Sequence, residues 1–128
     1  MDIVTQKQLN ILIQLAEADK HFAQSEREMI MKIAKERNFS EEAVIHLIRH
    51  PEPIESLGAL SYDQKIEYLN ACINLINVDH KIFESELIFV KNIAIKLGFK
   101  KSVVEFLTSN QNKLTPAELK SKILNEYC

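Results

Sequence analysis

Residues 77–87, NVDHKIFESEL, close one apolar helical pattern and open another, and residues 17–27, EADKHFAQSER, do the same near the start of the chain. Asp19 and Glu26 return as Asp79 and Glu86, seven residues apart each time and sixty residues further on. Shifted by that interval, the chain matches itself: Leu9 meets Leu69, Ile13 meets Ile73, Leu15 meets Leu75 and Ser25 meets Ser85. Ile33-Ala34 then meets Ile93-Ala94, Phe39 meets Phe99, Val44 meets Val104 and Leu47 meets Leu107, without a gap. Asn38 falls on Gly98, and these are the two residue types that best take the left-handed turn closing a helix.

The elements follow from spacing. Leu9, Leu12, Ile13 and Ala16 recur on one helical face, as do Met29, Ile30, Ile33 and Ala34. Ser40 before Glu41 and Glu42 caps a third helix through Val44, Leu47 and Ile48, which His50-Pro51 ends. Ser61 with Gln64 opens a fourth through Ile66, Leu69, Ile73 and Ile76. Val90, Ile93, Ala94 and Leu97 mark a fifth, and its extra apolar residues Leu87, Ile88 and Phe89 make it the expected central helix. Ser102 with Glu105 starts a sixth; Thr115, Pro116 and Glu118 start a seventh through Leu119, Ile123 and Tyr127.

The expected fold is therefore all-α, one domain over residues 1–128 with about seven helices. A three-helix unit over about 5–50 and another over about 61–110 are related by a pseudo-two-fold. The Pro-containing segment 51–60 links them, and a C-terminal helix at about 115–127 covers the seam.

Composition narrows the function. The 128 residues suit one core that buries roughly two thirds of the unfolded surface. Two glycines and three prolines leave little room for a turn-rich β design. Sixteen basic and 18 acidic residues, with no dense Lys/Arg tract, argue against nucleic acid as a partner. No apolar run approaches the ~18 residues of a membrane span, so no membrane insertion is expected and a cytoplasmic location is. Cys72 and Cys128 form no CxxC pair, and reduced thiols are expected.

The repeated acids carry the chemistry. Ser25 and Ser85 are expected to cap their helices, with Glu28 completing a box on Ser25, and the positive helix end favours Glu26 and Glu86. Asp19 and Asp79 fall near the C-terminal end of a helix, where carbonyls already make the potential negative. Either local N–H groups or a cation must compensate. An Asp leaving one helix and a Glu entering the next can reach one ion, and oxygen donors suit calcium, magnesium or manganese. Across the pseudo-two-fold, Asp19, Glu26, Asp79 and Glu86 would gather.

The segments AEADKHFAQSEREMIMKIA and NLINVDHKIFESELIFVKNIA resemble the two halves of the tellurite-resistance TerB-like family, over roughly residues 9–107. The resemblance implies an all-helical domain associated with stress response, whose duplicated acids are the metal ligands: here Asp19, Glu26, Asp79 and Glu86. Lys20 and His80 stand where that family has glycine, and Ala23 and Phe83 at its small polar capping position. Lys20 is thereby placed to neutralise Asp19.

Other candidates are weaker. Glu42, His46 and His50 share a helical face, but His46 aligns with Phe106 and is expected to pack half-buried. His21 and His80 flank the acidic loops, Lys96, Lys100 and Lys101 read as a solvated helix end, and Cys72 as core. The expected function is a binding or regulatory domain, not an enzyme, holding a divalent cation or the basic part of a protein partner at the acidic site. The alternative is a metal-free protein-interaction module whose acids only cap and position helices. A metal-dependent hydrolase ranks last, since no nucleophile or oxyanion donor can be nominated.

Overall fold

Helix boundaries fall where side chains satisfy the backbone groups that a helix leaves open at its ends. The computed structural model describes residues 3–18, 24–54, 57, 60–77, 84–110 and 113–127. Within them the chain forms seven α-helices and no strand: α1 (Ile3–Glu17), α2 (Gln24–Glu36), α3 (Glu41–Arg49), α4 (Tyr62–Asn77), α5 (Glu84–Leu97), α6 (Val103–Ser109) and α7 (Pro116–Glu126). Ser40 caps α3 through the Ala43 N–H, at 3.2 Å. The Ser61 hydroxyl accepts from the Gln64 N–H while Gln64 Oε1 accepts from the Ser61 N–H, a full capping box for α4. Thr115 and Glu118 make the same box at α7, with Pro116 as its first residue.

Three expected caps are not made. Ser25 and Ser85 are the second residues of α2 and α5, so their hydroxyls lie inside the first turn instead of preceding it. Glu28 meets Gln24 Nε2 at 3.3 Å and not a serine cap. Ser102 has helical backbone angles and no side-chain capping bond, so α6 starts without the expected Ser102–Glu105 box.

The C-terminal ends of α2 and α5 match in detail. Asn38 has φ +58° and Gly98 φ +95°, both left-handed. The Phe39 N–H donates to Ala34 O at 2.8 Å, and the Phe99 N–H to Ala94 O at 2.9 Å. Asn38 and Gly98 N–H groups donate to Lys35 O and Ile95 O, completing a Schellman motif at each site. Phe39 and Phe99, the residues just beyond, are buried.

The core is built on α1 and α4, not on α5. Leu9, Leu12, Ile13, Leu15 and Ala16 of α1 and Leu69, Cys72, Ile73, Leu75 and Ile76 of α4 are buried. In α5 the extra apolar residues do not all turn inward: Ile88 is 53% exposed and Ile95 52%. Its larger apolar content widens the helix's apolar surface without giving it the central place. Each helix of the first unit packs on the other two, α1 on α2 and α3 and α2 on α3; α4, α5 and α6 do likewise. Between the units α1 meets α4, α1 meets α5 and α2 meets α4, a set unchanged when the units are exchanged.

The link between the units is held by side chains of α1. Asn10 Nδ2 donates to Glu52 O at 2.9 Å, and Asn10 Oδ1 accepts from the Glu52 N–H at 3.0 Å. Gln14 Nε2 adds a second donor to Glu52 O, and Gln6 Nε2 binds Glu52 Oε1. Leu57, further along, is buried. The α7 helix rests on the second unit: Ile123 is buried, Phe106 and Tyr127 rings stack 5.0 Å apart, and Lys120 pairs with Asp63 at 2.6 Å. Its N-terminal part, at Ala117 and Lys120, borders the seam between the units.

Candidate functional site

Glu26 and Glu86 sit in the first turns of α2 and α5, with side chains 2% and 3% exposed. Among the described carboxylates these two alone are buried. The packing explains the inward aim. Glu26 and Glu86 each precede by four the next buried residue of the helix, Ile30 and Val90, so the apolar stripe that docks α2 and α5 carries the acid in with it. A carboxylate taken out of water loses several kcal/mol of hydration, whereas a helix N-terminus returns about 0.3–2 kcal/mol. The dipole alone therefore does not hold these groups, and each engages other groups of the protein.

Asp19 and Asp79, with Lys20, His21 and His80, lie outside the described residues. The described half of the four-acid set is thus one glutamate from each unit. Among the described residues no group of three His, Cys, Asp or Glu side chains is placed to hold a metal ion. The donor chemistry of the described pair fits a hard cation: both are carboxylates, both are shielded from bulk water, and each stands seven residues after an aspartate in the sequence.

The weaker candidates resolve differently. The His46 and His50 rings lie 4.9 Å apart, tilted 42°, at the exposed C-terminal end of α3, and Glu42 is exposed in its first turn. The expectation of a half-buried His46 fails because among the described residues no helix corresponding to α7 covers α3, while its counterpart Phe106 packs on Tyr127. Cys72 lies fully buried in α4, and burial pushes its thiol up to about 12, far from a nucleophile's range. Lys96, Lys100 and Lys101 are exposed, as a solvated helix end requires.

Sequence reasoning missed the polar stripe of α1 and α4. Asn10 is 4% exposed and fully engaged with Glu52, and Gln8 is 3% exposed with its Oε1 lacking a hydrogen-bond partner. The signal was present: Asn10 and Asn70 are another identical pair in the sixty-residue alignment. Gln8, Asn70 and Asn74 line a cleft of about 580 Å³ between the units, bounded by Met29, Ile33 and Arg37 of α2. Comparison of the chain with protein-family models, with curated proteins and with solved structures yields no match.

Proposed function

We propose that this chain is a TerB-like binding and regulatory domain that holds a divalent cation, calcium, magnesium or manganese, through its duplicated acids. Glu26 and Glu86 would supply one carboxylate each, joined by Asp19 and Asp79 from the loops that precede them. The observation that carries this reading is the burial of two carboxylates sixty residues apart, at the positions that the repeat and the family resemblance single out. A cation would add its charge to the contacts that these buried acids already make. The reading assigns the protein no catalytic step: the bound ion would tie the two interhelical loops together and so couple metal availability to the surface offered to a protein partner.

Thermal melting decides it. After chelation, adding millimolar calcium, magnesium or manganese raises Tm by several degrees if the ion binds only the native state, since a ligand at about 100 times its Kd adds about 2.7 kcal/mol. The Glu26→Gln and Asp79→Asn variants lose that response. A metal-independent Tm in the wild type, with Glu26→Gln changing Tm equally in chelator and in metal, would leave the glutamates a purely structural role.

A further inference from the structure

Equivalent faces of α1 and α4 are used differently. On α1, Lys7, Asn10 and Ile11 line a groove along which Glu52, Pro53, Ile54 and Leu57 run, with Asn10 gripping both the N–H and the C=O of Glu52. Sixty residues on stand Glu67, Asn70 and Ala71, and these line the cleft of about 580 Å³. Asn74 replaces Gln14. The Asn70 amide, half-buried, makes no hydrogen bond to any described residue. A second observation points into the same cleft: Gln8, 97% shielded, lines it and holds an Oε1 without a donor. Buried acceptors in native proteins nearly always find donors, and this side chain borders the cleft.

We propose that this cleft docks an extended segment of a partner protein, one residue of which gives its N–H and C=O to Asn70 as Glu52 gives its own to Asn10. A further N–H of the segment serves Gln8. The lining also sets the side chains. Gln6, which binds the Glu52 carboxylate, is replaced by Ile66, and Met29 and Ile33 lie opposite, so an apolar residue takes the gripped position. Arg37 pairs with Glu67 and Lys120 with Asp63, which leaves Glu36 as an excess negative charge on the rim and favours a basic neighbour. The segment is therefore extended, apolar at the clamp and basic beside it.

The chain's own linker supplies the probe. The peptide HPLPIKSLG copies residues 50–58 with Glu52→Leu and Glu55→Lys, and is titrated into the full-length ¹⁵N-labelled protein. Binding is expected to shift the side-chain amides of Asn70 and Gln8 and the backbone of Ile66, and Asn70→Ala is expected to weaken it by about tenfold, the loss of two hydrogen bonds. Asn70 bonds nothing described, so this variant keeps the fold; Asn70→Asp, which retains only the acceptor, falls between. The proposal is overturned if Asn70 and Gln8 do not respond at millimolar peptide, or if Asn70→Ala binds as tightly as wild type. Shifts of Asn70 that grow with protein concentration alone would make the occupant a second copy. That outcome overturns a partner segment.

Discussion

Burial changes what a side chain can do, and Cys72 makes the point in one group. Its thiol, fully enclosed in α4, is pushed up to about 12 from 9.0 because the thiolate cannot be hydrated there. Above pH 9 the unfolded chain releases this proton and the native chain keeps it, so the unfolded state binds fewer protons and stability falls as pH rises. The loss runs from about pH 9 to about 12, at about 1.4 kcal/mol per pH unit. Urea unfolding at a series of alkaline pH values should show this slope in the wild type and a slope shallower by that amount in Cys72→Ala. Equal slopes would mean that the thiol is wet.

At the scale of elements, local sequence decides ends and tertiary packing decides centres. The caps at Ser40, Ser61 and Thr115 and the left-handed closures at Asn38 and Gly98 were legible because each depends on residues within a few positions of one another. Ser25 and Ser85 misled because a capping hydroxyl must precede the first helical residue, and α2 and α5 begin one residue earlier than those serines. The centrality of α5 was misread from apolar content, which does not say which face finds a neighbour; Ile88 and Ile95 face outward. Likewise, the grip of Asn10 on Glu52 joins residues 42 apart and has no local signature. The pair Glu26 and Glu86 was legible through repetition, but their burial was not. The α7 helix tests the split between ends and centres. Ile123→Ala, which empties a fully buried site, should cost about 2–5 kcal/mol. Thr115→Ala, which removes an exposed cap, should cost about 1 kcal/mol. Chemical denaturation of the two variants should preserve that order; a cap loss equal to the core loss would mean that α7 is held by its start and not by its face.

The whole molecule has two units but one core. Because α1 touches both α4 and α5, and α4 touches both α1 and α2, neither unit keeps its apolar faces covered without the other. Two further ties cross between them, the Tyr68 hydroxyl donating to Val4 O and Arg37 pairing with Glu67, and Asn10 fixes the linker at Glu52. The chain should therefore unfold in one step despite its internal repeat. With no tryptophan, tyrosine emission in a Tyr62→Phe, Tyr127→Phe background reports on the inter-unit contact at Tyr68 and far-ultraviolet circular dichroism on the helices. The two urea curves should coincide. Asn10→Ala leaves the Glu52 N–H without its acceptor and should move both curves together to lower urea, by about 1–3 kcal/mol, with the slope unchanged. If the tyrosine signal changed at lower urea than helicity, or if Asn10→Ala split one transition into two, the units would be separately stable and the shared core would not be what holds them. A single coincident shift places the linker clamp inside the cooperative unit, which is what a junction fixed by buried side chains, and not by chain connectivity alone, demands.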